Sequence, residues 1–195
     1  IFTNISSFDN YTMNDGGIGS NEGARFFGER LCVHPDINSQ DTVYFGTITS
    51  NGLFQTFNAG KSWQINEGLN KVFTKWNETS GSGIIFVNIN PFNYDIYVSL
   101  FDYGIFLSKD DGKSWINIVP NSDKTKLKCL RSAFNSEIND NLFYTTCTEG
   151  VFRYNASNGQ WLDISPIHNG SFCGIDINSA GKHIIVAEQK SAYDC

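Results

Sequence analysis

Gly104-Ile105-Phe106-Leu107-Ser108-Lys109-Asp110-Asp111-Gly112-Lys113-Ser114-Trp115 is the stretch whose reading decides the fold. An apolar run opens it. Then comes the pattern Ser/Thr-x-Asp/Asn-x-Gly-x-Ser/Thr-Trp, carried by Ser108, Asp110, Gly112, Ser114 and Trp115. Each residue type has a job in a tight turn. The carboxylate accepts backbone N–H bonds, glycine supplies a positive φ, the hydroxyl closes the loop, and the indole packs beneath it. Thr56-Phe57-Asn58-Ala59-Gly60-Lys61-Ser62-Trp63 is a second copy.

The copies belong to a longer repeat. A glycine opens each apolar run at Gly52, Gly104 and Gly150, and a tryptophan follows eleven positions later at Trp63, Trp115 and Trp161. The period is about 50 residues, the size of a four-stranded propeller blade. The turn is then an Asp-box, found between the outer two strands of such blades. The third copy, Tyr154 to Trp161, has Ala156 and Asn158 where the box needs its Asp-type residue and its glycine. The fold expected is all-β: four-stranded antiparallel propeller blades, about three complete and others partial.

The chain divides accordingly. Residues 1–28 read as the end of a preceding blade plus a loop, 29–66, 83–118 and 127–164 as blades, and 172–195 as the start of another. Runs such as Ile84-Ile85-Phe86-Val87 are apolar on both faces, as inner strands stacked between blades must be. Residues 67–82 read as a long loop, and no helix longer than one turn is expected. Three blades do not close a ring, so the expectation is part of a larger, seven-bladed propeller completed by further sequence or a second chain. The start at Ile1 without Met reads as a processed chain or a piece of a longer one.

Composition narrows the partners. A net charge of −6 with no basic run argues against nucleic acid and an anionic membrane surface. No apolar run approaches the ~20 residues of a membrane span. Five sequons, at Asn4, Asn10, Asn77, Asn155 and Asn169, all fall in or beside expected loops and point to a secreted or cell-surface glycoprotein. The 5 cysteines show no Cys-x-x-Cys spacing, and His34, His168 and His183 stand apart, so neither metal nor cofactor is expected. Cys129–Asn135 and Asn141–Cys147 read as a hairpin centred on residue 138. That register sets Cys129 opposite Cys147, ready for a cross-strand bridge worth ~3 kcal/mol. The alternative is a pair of reduced core thiols.

Asn21-Glu22-Gly23-Ala24-Arg25-Phe26-Phe27-Gly28-Glu29-Arg30-Leu31-Cys32-Val33-His34-Pro35, then Val43-Tyr44-Phe45-Gly46-Thr47 and Asn51-Gly52-Leu53-Phe54, resembles glycoside hydrolase family 74, the xyloglucanases and related endo-β-glucanases. Val151-Phe152-Arg153-Tyr154-Asn155 and Trp161-Leu162-Asp163-Ile164-Ser165-Pro166 resemble a later blade of that family. Ala24, Cys32 and His34 depart from its Gly, Ala and Asp. The resemblance implies two seven-bladed propellers facing across a cleft. It implies inverting hydrolysis of a β-1,4-glucan by two aspartates, one per lobe. Aligned by motif, this chain begins after the first and ends before the second. Arg25 carries over as a substrate-side residue, and Gly28 to Leu31 as scaffold.

Within the chain, the ligand face of a propeller is built by the loops joining second to third strand and blade to blade. Asp102 and Glu149 occupy such loops on adjacent blades. Inversion needs two carboxylates ~6.5–9.5 Å apart. On adjacent blades these two could approach that spacing, and solvated loop acids or turn formers are the alternative. Trp76 and Tyr103 are candidate platforms for pyranose rings; for Trp76 the alternative is a loop-anchoring core residue. The expected partners are a β-glucan or other glycan and the remaining blades or lobe. Besides a hydrolase lobe, two other readings stay open. One is a non-catalytic glycoprotein binding glycan or protein. The other is a sortilin-type receptor propeller, which shares the boxes but lacks Gly-Glu-Arg-Leu.

Overall fold

The computed structural model describes residues 30–47, 52–74, 83–100, 103–119, 129–135, 137–167, 170–178 and 183–188. They form four antiparallel sheets in chain order. The first holds β1 (Leu31–Val33), β2 (Val43–Gly46), β3 (Leu53–Thr56) and β4 (Gln64–Ile65). The second holds β5 (Ile84–Ile89), β6 (Ile96–Leu100), β7 (Gly104–Ser108) and β8 (Ile116–Asn117). The third holds β9 (Cys129–Ala133), β10 (Leu142–Cys147), β11 (Gly150–Asn155) and β12 (Gln160–Asp163). A pair, β13 (Phe172–Ile177) and β14 (Ile184–Glu188), follows. Each complete sheet is an up-and-down meander, which is the propeller blade.

Period two explains the packing. On β6, Ile96, Val98 and Leu100 enter a core shared with the first sheet. Tyr97, between them, enters a second core shared with the third sheet. A sheet buried on both faces reads as a continuous apolar run, as β5 to β7 do. Each buried aliphatic or aromatic side chain stabilises by ~1.5–3 kcal/mol. The end sheets are less covered: Leu31 on β1 and Ile185 on β14 are 59% and 73% exposed.

The turns follow their chemistry. At the second box, Asp110 Oδ1 accepts from the Ser114 N–H at 2.8 Å, and Ser114 Oγ donates to Oδ2 at 2.6 Å. The Gly112 N–H donates to Ser108 Oγ at 2.9 Å. Asn58 and Thr56 repeat this at the first box, with Ser62 N–H to Asn58 Oδ1 at 2.9 Å and Gly60 N–H to Thr56 Oγ1 at 3.0 Å. Both turns use two consecutive left-handed residues, Ala59-Gly60 and Asp111-Gly112. The third turn uses only Gly159 (φ 72), as its degenerate sequence requires. The hydrogen bonds from Ser114 hold the Asp110 carboxyl below the usual range.

The box tryptophans do more than pack under their turns. Trp115 Nε1 donates to Asn66 Oδ1 at 3.0 Å, and Trp161 Nε1 to the Ile118 carbonyl at 2.9 Å. Each indole thus ties its blade to the blade before it.

One expectation is corrected. Residues after β4 do not form only a loop, because Glu67–Val72 is a helix of 6 residues, α1. Asn66 caps it, accepting from the Leu69 N–H at 2.7 Å, and Leu69 is fully buried in the first core. The acidic Glu67 in the first turn and Lys71 in the last suit the helix dipole.

Asp95, buried between β5 and β6, gives a pH test. Burial pushes its carboxyl up, against the opposing pull of Lys109 and of the Asn93 hydrogen bond. A raised folded-state value means the folded protein binds the extra proton, so stability falls as pH rises through it. Asp95→Asn removes that loss. Its urea midpoint is expected above wild type at pH 7, with the advantage closing toward about pH 4. An advantage constant with pH would rule the assignment out.

Candidate functional site

The candidate ligand face is built by the β6–β7 and β10–β11 connections and by the segments between sheets. Glu149 sits in the short β10–β11 turn, between Cys147 and Gly150, which pair directly, and its side chain is exposed. Tyr103 precedes β7. It is half-buried against the first core, with its ring edge-on to Phe73 at 4.7 Å between centroids. Its carbonyl accepts from Asn117 Nδ2 at 2.9 Å. These contacts hold Tyr103 in place.

Asp102, Arg25 and Trp76 lie outside the described residues, as do Asn4, Asn10, Asn77 and Asn169. Asp102 and Glu149 are therefore not brought together as a described pair. Asn155 is described: it ends β11, half-buried, with Oδ1 accepting from the Ser157 N–H at 2.9 Å. Among the described residues, no group of three or more His, Cys, Asp or Glu is arranged to hold a metal. His34 instead faces Asp111 at 3.8 Å and the Tyr94 ring at 5.0 Å, joining the first two blades.

Cys129 and Cys147 lie within the described residues. Cys147 pairs with Cys129 across β9 and β10, as the hairpin symmetry requires. The rest of the ladder is offset by one residue, with Leu130 as the extra position. The same displacement occurs at Ile85 on β5 and Cys173 on β13, so three successive inner strands are bulged at one level. The sulfurs of Cys129 and Cys147 stand 2.7 Å apart. Cys173 is disulfide-bonded.

Two cavities escaped the sequence reading. One, of about 190 Å³, opens between the inner strands β5, β9 and β13, beside Asn88, Arg131, Ser132 and Gly174. The other, about 520 Å³, runs between α1 and the second box, beside Phe57, Gln64, Glu67, Lys71 and Lys113. Both are assembled from residues of different blades, so no local sequence pattern announces them.

Comparison with known proteins places this geometry. No family profile matches the chain. It is 26% identical over 213 residues to "Xyloglucanase Xgh74A" of Acetivibrio thermocellus, covering 90% of this chain and 24% of that protein. It is 24% identical over 208 residues to an "Oligoxyloglucan-reducing end-specific xyloglucanase" of Emericella nidulans, covering 87% of this chain and 25% of that protein. Among solved structures, the GH74 enzyme of Niastella koreensis superposes with a TM-score of 0.68 at 25% identity, over 82% of this chain and 24% of that one. The GH74 xyloglucanase of Xanthomonas campestris gives a TM-score of 0.70 at 19% identity, over 89% of this chain and 28% of that one, a likeness of fold. By fold the chain is a run of consecutive β-propeller blades. In sequence and in fold it is similar to the xyloglucanases of glycoside hydrolase family 74. It spans about a quarter of the length of these relatives.

Proposed function

We propose that the chain is part of a secreted, glycosylated endo-β-1,4-glucanase acting on xyloglucan-type polysaccharide, by inversion, with both catalytic aspartates outside these residues. The carrying observation is the likeness to named xyloglucanases over 90% of the chain. The Gly28-Glu29-Arg30-Leu31 segment supports it. In this reading the blades form one wall of a substrate cleft, with Arg25 and Trp76 on the substrate side. Glu149 and Asp102 are solvated loop acids. The apolar faces carrying Leu31 and Ile185 are covered by further blades. Asn155 is a glycan acceptor, and its Asx turn presents the side chain at the surface.

The test uses the full-length polypeptide from a secretory host. Reducing ends and the anomeric form of the first product are followed on xyloglucan. Expected are turnover with inversion, and mass lost on N-deglycosylation. The chain of 195 residues by itself is expected to give no turnover. A folded full-length protein inert on xyloglucan and other β-1,4-glucans would sink the hydrolase reading. The second reading, a non-catalytic glycoprotein, would then stand. The sequons at Asn77 and Asn169 favour it, because glycans in those loops crowd a polysaccharide groove.

A further inference from the structure

We propose that Cys129 and Cys147 are a cross-linking site, joined in the mature protein by a buried disulfide between β9 and β10. Three observations converge. The two residues are direct cross-strand partners. Their sulfurs stand 2.7 Å apart, where a bond needs about 2.05 Å. The partnership also depends on a departure from the regular ladder: in an unbulged register Cys147 would face Leu130 and the thiols would not meet. The Ser99 hydroxyl, from the neighbouring blade, donates to the Cys129 carbonyl at 3.1 Å and fixes that end of β9.

Burial decides what kind of cross-link this is. Both cysteines are 0% exposed and lie in the core between the second and third sheets. Burial, then the contact with Cys129, pushes the Cys147 thiol up, so the folded site disfavours the reactive thiolate. A site so closed is oxidised while the blade is forming and is shielded afterwards. It is a structural staple, not a switch.

The chemistry balances through ordinary exchange. One thiolate attacks a disulfide of the oxidant (oxidised glutathione, or the active disulfide of an oxidoreductase) and releases one thiol. The second cysteine attacks the mixed disulfide and releases the other. The pair loses two electrons and two protons, and one disulfide of the oxidant becomes two thiols.

The proposal rests on the secreted reading only for its oxidant. Refolding in a glutathione redox buffer supplies that oxidant directly, so the two fail separately. The refolded chain is denatured, alkylated without reduction and digested. Expected is one cross-linked peptide holding Cys129 and Cys147, about 2 Da lighter than the sum of its reduced parts. Before denaturation, millimolar dithiothreitol is expected to open it at least tenfold more slowly than after. Cys129→Ser should leave Cys147 labelled only in denaturant. Both cysteines carrying the alkyl label after refolding, or either bridged to another cysteine, overturns the proposal. Equal reduction rates with and without denaturant overturn the shielding.

Discussion

Replacing Asn66 with Ala is expected to lower the unfolding free energy by about 3–4 kcal/mol. All four hydrogen-bonding positions of this residue are engaged inside the protein. Its Oδ1 accepts from the Leu69 N–H at 2.7 Å and from Trp115 Nε1 at 3.0 Å. Its Nδ2 donates to Gln55 Oε1 at 2.8 Å and to the Gly112 carbonyl at 3.0 Å. It is 2% exposed, so water does not replace these partners. Loss of the cap costs about 1 kcal/mol, and each buried group left unsatisfied about 1–3. Trp115 Nε1 keeps a second acceptor, the Gly112 carbonyl at 3.0 Å, which limits the total. Asn66→Ser separates the parts, since a serine caps the helix but cannot reach the second box; it should recover about 1 kcal/mol. Urea unfolding measures both. A change under about 0.5 kcal/mol for Asn66→Ala would show that the network does not hold the first two blades together.

That network marks the border of what the sequence makes legible. The box turns are readable because every partner lies within a few residues: Ser108, Asp110, Gly112 and Ser114 bond one another. The inner strands are readable because a surface buried on both faces leaves an unbroken apolar run. Helix α1 is not readable. Its sequence, Glu67-Gly68-Leu69-Asn70-Lys71-Val72, has a glycine inside and an asparagine-rich setting, both signs of a loop. The reason for Gly68 lies in the next blade. A Cβ there would meet the carbonyl oxygens of Gly112 and Lys113 at 2.2 and 2.6 Å. The helix packs that closely because the residue has no side chain.

The candidate site shows the same division. Glu149 and Tyr103 are found from blade period alone, since any blade places those loops on one face. The contact of the Tyr103 ring with Phe73, thirty residues earlier and across a blade boundary, has no local sequence signal. The opposition of Cys129 and Cys147 was legible from hairpin symmetry. The bulge that secures it was not, because an extra residue leaves no mark in a two-residue period.

Gly46→Ala is expected to cost about 3 kcal/mol, and Ile84→Ala to restore part of it. Gly46 ends β2, where the first blade meets the inner strand of the second. A Cβ at this position would stand 2.3 Å from Ile84 Cγ2 and 2.8 Å from Ile84 Cβ. The first clash is hard to relieve, because Ile84 is branched at Cβ and a rotation of χ1 only brings another γ carbon round, while Cβ itself is fixed to the β5 backbone. Ile84 is itself fully buried, and the Ile84 N–H donates to the Thr47 carbonyl at 2.8 Å, so the strands cannot part without losing that bond. Overpacking of this kind costs about 1–3 kcal/mol, or more where backbone must move. Ile84→Ala alone leaves a cavity and costs about 2–5 kcal/mol. The double variant removes the closest clash, with Cγ2, leaves only the approach to the residue-84 Cβ, and fills part of the cavity. Its loss should fall short of the two single losses together by more than about 1 kcal/mol, which urea unfolding of all four proteins would detect. Simple additivity would mean that the blades separate to admit the methyl group. The close contact of Gly46 with Ile84 would then not be what sets the angle between the first and second blades.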